Sequence, residues 1–257
     1  MISIRPIERH ECSKFLKILC TVFDLDFQRA EGVFYEEPHF DLARKWALYD
    51  SDQMVSILTT TPLQFGSYRA MGIAGVATIP SKRNQRFANH LVNHVLGHGA
   101  TIGESRALLF AQRTNLYESC GFTTIDHVVK GEIRTSLDYL DKDRLEFDSV
   151  RAKYEDWCSA HPSFLVRSPK GWEAWKWNFK VCEAVEKGYV CFEANTIREM
   201  VTCPGQESWP VGPNCEWYGL KSVTELLQVP AEVQSTGLML LGHSIDFTPL
   251  MFMTDQF

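Results

Sequence analysis

The segment 106–122 constrains the fold of this chain more than any other segment does. It reads Arg-Ala-Leu-Leu-Phe-Ala-Gln-Arg-Thr-Asn-Leu-Tyr-Glu-Ser-Cys-Gly-Phe. Its apolar first part, residues 106–112, predicts a buried strand. The remainder predicts a short helix that ends at a left-handed Gly121, followed by a new strand from Phe122. Tyr117 therefore lies near the start of a helix, at the carboxyl end of a strand, which is where open α/β sheets tend to bind ligands.

A second informative segment lies upstream. Residues 72–79, Gly-Ile-Ala-Gly-Val-Ala-Thr-Ile, are mostly small or β-branched and predict a buried strand that ends at Pro80. Residues 81–88 form a polar turn, and residues 89–96 have the spacing of an amphipathic helix. Because the N–H groups and the dipole at the start of a helix favour an anion, this arrangement indicates a place to hold a phosphate.

The pattern Asn115-x-Tyr117-x-x-x-Gly121-Phe122 resembles the end of the GNAT (GCN5-related) N-acetyltransferase fold. In that family the tyrosine is usually the general acid that protonates the departing thiolate of coenzyme A, and the resemblance implies this role for Tyr117. An ordinary helix with a glycine stop and a partly buried tyrosine is the alternative interpretation of the same residues.

The upstream turn resembles the pyrophosphate loop of the same family, Val-x-x-Pro-x-x-Arg-Gly-x-Gly-x-Gly/Ala. The matching residues are Val76, Pro80, Arg83 and Ala88. Asn84 and Arg86 replace the two central glycines of the motif. Glycine at these positions lets the backbone approach a pyrophosphate without a Cβ in the way. Arg86 could crowd that approach or could supply charge of its own, and the sequence leaves both open.

The resemblance implies an α/β (α+β) fold class, namely the GNAT acyl-CoA acyltransferase fold with a mixed central sheet. It also implies acetyl-CoA (coenzyme A) as co-substrate, with no metal. The pantetheine would pair with the backbone of residues 76–78, and the pyrophosphate would lie over residues 83–88. The implied cofactor contacts are Val76, Ala77, Thr78, Arg83, Asn84, Gln85, Arg86, Phe87, Ala88 and Asn115.

The first half of the chain fits the order β-α-α-β-β-β-α-β-α-β that this fold requires, with a last strand running to about Ile133. We predict an acetyltransferase domain at residues 1–138, a linker near residues 136–142, and a smaller α+β unit at residues 139–257, interpreted as a degenerate GNAT-like half. The elements predicted there are a helix at 144–161, a hairpin of 188–193 with 197–202, an irregular loop at 203–219, a helix at 223–227, and strands at 238–241 and 250–254.

The second half is also similar to the Eis-like tandem acetyltransferases. Arg167 and Trp175-Lys176-Trp177 loosely match an Arg…Trp-x-Trp-Lys/Arg segment of that group. Eis-like chains end in a phenylalanine whose carboxylate serves as the catalytic base, which implies this role for Phe257. A frayed surface terminus is the alternative. The tryptophans around residues 172–177 are read first as a packed aromatic cluster and second as the wall of a substrate cleft.

Three further groups of polar residues carry weaker predictions. Glu36, Glu37 and His39 lie in a loop where this family often shapes its acceptor pocket, and a solvated turn explains them equally well. His90, His94 and His98 recur at helical spacing without a carboxylate, so we expect a solvated helix face and no metal site. Cys120 has no Cys-His signature around it and is interpreted as a packing residue.

Composition agrees with this interpretation. The formal net charge of −6 argues against a general nucleic-acid surface and suits cationic partners such as amines. The eight cysteines include no CxxC pair, and the chain shows neither a signal layout nor a membrane-length apolar run, so we expect a cytoplasmic protein without membrane attachment.

These features predict an acyl-CoA N-acyltransferase that transfers an acetyl group from acetyl-CoA to a primary amine by direct attack, with Tyr117 as general acid. The alternative is a catalytically degenerate protein of the same fold that binds an acyl-CoA or a protein or peptide partner. The acceptor is a small-molecule or peptide amine of unspecified identity, and the sequence does not specify the oligomeric state.

Overall fold

The computed structural model describes residues 1–133, 144–178, 181–185, 188–202 and 215–257. The strands are Ile2–Pro6 (β1), Lys45–Asp50 (β2), Gln53–Phe65 (β3), Tyr68–Thr78 (β4), Arg106–Ala111 (β5), Thr123–Glu132 (β6), Cys182–Val185 (β7), Gly188–Glu193 (β8), Thr196–Val201 (β9), Glu216–Leu220 (β10) and Gln234–His243 (β11). The α-helices are Cys12–Phe23 (α1), Phe27–Phe34 (α2), Phe87–Thr101 (α3), Asn115–Glu118 (α4), Phe147–Ala160 (α5), Pro169–Asn178 (α6) and Lys221–Leu226 (α7).

The strands form one mixed sheet in the order β1-β2-β3-β4-β5-β11-β6-β10-β9-β8-β7. The pairs β4–β5 and β9–β10 are parallel, and the other neighbours are antiparallel. Strand β11 comes from the second half of the chain but lies between β5 and β6 of the first half. The predicted domain boundary at residue 138 stays a prediction, and the predicted linker at 136–142 falls entirely outside the described residues.

Alternation along β2 explains why helices cover both faces of the first part of the sheet. Trp46 and Leu48 belong to a core cluster with α3, whereas Ala47 and Tyr49 belong to a cluster with α1. Successive side chains of a strand point to opposite faces, so α1 and α3 pack on opposite sides. A third cluster joins α5 and α6 to the strands of the second half and to residues 251–253.

The predicted order of elements in the first half is confirmed, with shifts of a few residues at most boundaries. The prediction of a strand at 250–254 is wrong. Leu250 makes only an isolated bridge with Phe164, and Met253–Asp255 is a 3₁₀ turn. The chain turns there because the side chains of Thr254 and Asp255 accept hydrogen bonds from Arg167, and the backbone does not pair with a neighbouring strand.

The prediction of an irregular loop at 203–219 is wrong at its end, because β10 begins at Glu216 and pairs with β6. Residues 203–214 lie outside the described residues. Helix α6, which begins with Pro169, was not predicted from the sequence. None of the helices in the described part of the chain has the length and apolarity needed to cross a lipid bilayer.

A buried carboxylate joins the start of α1 to the first part of the sheet. Glu11 is 6% exposed and accepts hydrogen bonds from the Arg5 guanidinium at 2.8 and 2.9 Å, from the Tyr49 hydroxyl at 2.8 Å and from the Glu8 backbone N–H at 2.8 Å. The hydrogen bond from Arg5 is the main cause that lowers the pKa of Glu11 from its ordinary value of 4.5 to about 2.

We therefore expect Glu11→Gln to lower the free energy of unfolding at pH 7 by about 3 kcal/mol, since each unit of pKa shift is about 1.4 kcal/mol. The pKa of Glu11 is depressed in the folded state, so its contribution is complete above pH 4.5 and is lost as the pH falls toward about 2. Urea unfolding at several pH values measures this. The matched control is Glu8→Gln, because the Glu8 side chain is 65% exposed. Equal stability of the two variants at pH 7 would contradict the assignment.

Candidate active site

Strands β4 and β5 separate soon after they pair. Their parallel pairing covers only residues 70–72 of β4 and 106–108 of β5. Beyond Gly72, β4 continues to Thr78 paired with β3, while β5 continues to Ala111 paired with β11. Within the described residues, the edges of β4 and β5 that face each other beyond this point have no strand partner. Their backbone groups are therefore available to a ligand.

A bulge bends β4 in this region. Between two paired positions β3 advances from Ile57 to Thr59, whereas β4 advances from Ala74 to Ala77 and so carries one extra residue. Gly75 lies in that stretch with φ +61, and a Cβ there would lie 3.1 Å from Leu19 of α1. Bulges bend the strand that carries them, which accounts for the separation of β4 from β5.

The turn between β4 and α3 lies at the carboxyl end of this opening. Arg83, Asn84, Gln85 and Arg86 are exposed, and Ala88 is half-buried in the first turn of α3. Phe87 is 7% exposed and packs in the core, so only its backbone can face a ligand in the turn. The Arg83 Nε donates to the Thr78 carbonyl at 3.5 Å.

Asn84 and Arg86 have φ of 64 and 60. The pyrophosphate-loop motif that this turn resembles has glycine at these two positions. The backbone is left-handed at both positions, although neither residue is glycine. Asparagine tolerates this conformation, whereas arginine is strained in it. The left-handed conformation at Arg86 therefore carries a cost in stability.

Tyr117 lies on α4, after β5, at the same end of the opening. Its ring packs beside Phe122 at 6.1 Å between centroids, and burial raises the pKa of its hydroxyl to about 12. Asn89 on α3 donates to the Leu116 carbonyl at 3.3 Å and to the Ser119 hydroxyl, which fixes α4 relative to the turn. Asn115 is exposed at the start of α4.

A cavity of about 280 Å³ lies beside β3 and α6. Its walls come from β3, from the segment before α6, from α6 itself and from the end of the chain, with His39 and Arg69 at its edge. The lining residues are His39, Thr61, Pro62, Leu63, Gln64, Arg69, Leu165, Val166, Arg167, Ser168, Gly171, Ala174, Trp175, Asn178, Thr254, Asp255, Gln256 and Phe257.

Phe257 connects this cavity to the strand opening. A Cβ built on Gly72 would lie 2.6 Å from the Phe257 ring, so the ring packs directly on the backbone where β4 and β5 separate. The ring also lies 5.7 Å from that of Phe110 on β5. The predicted role of its carboxylate as a base stays a prediction.

A buried ionic network lies behind the cavity. The Arg167 guanidinium donates to Glu199 at 3.1 and 2.6 Å and to Asp255 at 2.7 and 2.8 Å. Burial disfavours ionisation of both carboxylates. At Glu199 the charge of Arg167 and its hydrogen bonds outweigh burial and lower the pKa, whereas at Asp255 burial dominates and raises the pKa.

The tryptophans of α6 serve mainly as packing residues. Trp172 and Trp175 are 3% and 5% exposed and pack with their ring centroids 5.6 Å apart. Trp175 also lines the cavity. It therefore belongs to the predicted aromatic cluster and at the same time forms part of a cavity wall. Trp177 is 39% exposed.

The structure separates the three acceptor-loop candidates. Glu36 is exposed and does not line the cavity. The Glu37 carboxylate forms an ion pair with the buried Lys45, with 2.9 Å between Oε1 and Nζ. His39 does line the cavity, and burial lowers its pKa, so its imidazole is neutral at pH 7 and can accept a proton.

The three histidines of α3 and Cys120 lie outside the cavity and the strand opening. His90, His94 and His98 are exposed on α3, and the rings of His94 and His98 lie 5.8 and 4.8 Å from that of Trp46. Cys120 is buried, and burial raises the pKa of its thiol, which disfavours a nucleophilic thiolate. The described residues contain no group of three or more potential metal ligands.

Sequence reasoning missed the roles of Glu199, Asp255 and Gly72. A glutamate between Ile197 and Val201 lies on the same face of β9 as these apolar residues, and this signalled a buried charge that needs a partner. A glycine inside β4 signalled the close approach of another group. The partner of each comes from a distant part of the chain and could not be identified from spacing.

Residues 3–125 match the family model described as an acetyltransferase (GNAT) domain. The GCN5-related N-acetyltransferase from Anabaena variabilis ATCC 29413 has a similar structure, with a TM-score of 0.72, 16% identity, and coverage of 94% of this chain and 72% of that chain. Eis1 from Mycobacterium abscessus is also similar in structure, with a TM-score of 0.63 and 13% identity, and the match covers 95% of this chain and 73% of that chain.

A putative acetyltransferase from Pyrococcus horikoshii has a TM-score of 0.69 at 10% identity, over 100% of this chain and 96% of that chain. No curated protein sequence matches the chain. The predicted fold class and the resemblance that carried it are confirmed.

The strain at the left-handed Arg86 can be tested by substitution. We expect Arg86→Gly to raise the free energy of unfolding by about 0.5–1 kcal/mol, because glycine adopts φ 60 without the clash that Cβ causes. Gln85→Gly is the matched control, since Gln85 lies between the two left-handed residues without sharing their conformation, and it should lower stability by about 0.5–1 kcal/mol. Urea unfolding decides. A loss of stability in Arg86→Gly equal to that in Gln85→Gly would contradict the strain.

Proposed function

Because residues 3–125 match the model of the GNAT acetyltransferase domain, we propose that this chain transfers an acetyl group from acetyl-CoA to a primary amine by direct attack. The observation that carries the proposal is the opening between β4 and β5, which has the Arg83–Arg86 turn and Tyr117 at its carboxyl end. The cavity reaches the same opening at Phe257.

Acetyl-CoA would lie in the opening, with its pantetheine amides paired to the free backbone edge of residues 76–78. The N–H groups at the start of α3 and the exposed side chains of Arg83 and Arg86 would bind its pyrophosphate, since oriented N–H groups and guanidinium groups both favour phosphate oxygens. The left-handed φ at Asn84 and Arg86 supports this, because glycine, which the family motif has at both positions, adopts that conformation readily.

The acceptor amine would lie in the cavity. A base first takes a proton from its ammonium group, and the neutral nitrogen then attacks the thioester carbonyl carbon. As the C–S bond breaks, the sulfur takes a proton from the Tyr117 hydroxyl, and the second proton that the nitrogen loses as it becomes an amide returns to the Tyr117 phenolate through solvent. A pKa of about 12 keeps that hydroxyl protonated at pH 7, which is the state a general acid needs. The Phe257 carboxylate is our candidate base, and the neutral His39 is the alternative within the cavity.

The test is Tyr117→Phe, followed by two measurements. Saturating acetyl-CoA, at about 100 times its dissociation constant, should stabilise both wild type and variant by about 2.7 kcal/mol in thermal unfolding. Turnover of an amine found by screening should fall about 10²–10⁴-fold in the variant, because only the proton donor is lost. Tyr68→Phe is the control, since Tyr68 lies at the opposite end of β4 and stacks on Phe247.

Unchanged turnover in Tyr117→Phe would contradict its role as general acid. If acetyl-CoA stabilised neither protein and no amine were acetylated, the proposed transferase would be wrong. The alternative, a catalytically degenerate binding protein, would then replace it.

A further inference from the structure

The end of the chain forms one wall of the cavity, yet it belongs to no strand of the sheet. Residues 254–257 all line the cavity, and the ring of Phe257 packs on Gly72. The last regular feature is the 3₁₀ turn Met253–Asp255. Because no strand of the described sheet holds residues 254–257, the position of this wall depends on side-chain contacts.

Those contacts converge on one guanidinium. Arg167 donates from Nε and Nη2 to the two oxygens of Asp255 at 2.7 and 2.8 Å, which is a bidentate pair, and from Nη2 to the Thr254 hydroxyl at 3.1 Å. The Thr254 hydroxyl in turn donates to Glu199. Bidentate pairs of this kind fix orientation as well as distance.

Arg167 is itself held from three other directions. Glu199 on β9 accepts two further hydrogen bonds from it, and the guanidinium lies 3.8 Å above the centroid of the Tyr154 ring and 4.7 Å from that of Trp172. The side chains of Arg167 and Glu199 are 1% and 0% exposed. Water cannot replace any of these partners, so the guanidinium keeps one position.

The backbone before Arg167 extends this connection to the other wall of the cavity. The Val166 N–H donates to the Gln64 carbonyl on β3 at 2.7 Å, and the Leu165 N–H donates to the Leu250 carbonyl at 2.9 Å. One segment therefore contacts both β3 and the end of the chain, and both line the cavity.

We propose that Arg167 is a positioning residue of the acceptor site: it holds Thr254 and Asp255 so that residues 256–257 close the cavity where β4 and β5 separate. Its effect on catalysis rests on the proposed acetyl transfer. Attachment of the chain end does not, and it can be measured without any substrate.

The first experiment uses carboxypeptidase A, which releases phenylalanine from accessible chain ends, on the folded 257-residue chain. Wild type should release Phe257 slowly compared with a peptide of its last five residues. Asp255→Asn and Thr254→Val should each release it about tenfold faster or more, because each loses charge-assisted hydrogen bonds to the buried guanidinium. These two variants keep Arg167 and the size of the side chain, so folding survives better than with an Arg167 substitution.

The matched control is Tyr189→Phe. The Tyr189 hydroxyl donates its hydrogen bond to Glu199 on β9, in the same network, and not to residues 254–257. This variant weakens the network without releasing the wall, so its digestion should match that of wild type even where its melting temperature falls as far as that of Asp255→Asn. Thermal unfolding of each variant verifies that digestion is measured on folded protein.

A second experiment measures catalysis. Asp255→Asn should lower kcat/KM for the amine about tenfold or more while the stabilisation by acetyl-CoA stays unchanged, because the cofactor contacts lie elsewhere. Equal phenylalanine release from all four proteins would overturn the proposal, as would rapid release from wild type. Release confined to the two tail variants, with no acetyl transfer by any of them, would keep the attachment and reject the proposed function.

Discussion

The separation of two parallel strands at Gly72 is the constraint on which the rest of this structure depends. Parallel pairing of β4 with β5 lasts for three residue pairs, and a bulge containing Gly75 then bends β4 away. The cost is a set of backbone groups without strand partners in the described sheet. A ligand that offers amide groups can satisfy them, and the turn before α3 and the residue Tyr117 lie at the carboxyl end of the same opening.

The second half of the chain completes this opening. Strand β11 supports β5 from the side away from β4, and the chain then returns to place Phe257 on Gly72. That return depends on a buried arginine with two carboxylates, an arrangement whose desolvation cost often cancels its attraction. We interpret the network as a device for orientation, since an apolar cluster of equal volume would hold the chain end with less directional precision.

Much of the first half could be predicted from the sequence because local signals agree there. The apolar strand before Pro80, the helix stop at Gly121 and the position of Tyr117 each follow from short-range chemistry. The surroundings of the cavity could not be predicted in the same way. Arg167, Glu199 and Asp255 are far apart in the sequence, and their association depends on how β9 and the chain end pack against the segment before α6. The wrong strand at 250–254 has the same origin, since an apolar run suggested a strand where side chains of Thr254 and Asp255 determine a turn.

The most direct measurement is a crystal structure of the chain with coenzyme A. The account predicts pantetheine in the opening between β4 and β5, pyrophosphate at the Arg83–Arg86 turn, and the sulfur within hydrogen-bonding distance of the Tyr117 hydroxyl. The Phe257 ring should still pack on Gly72. Coenzyme A bound at another surface, or a Tyr117 hydroxyl turned away from the sulfur, would contradict the account.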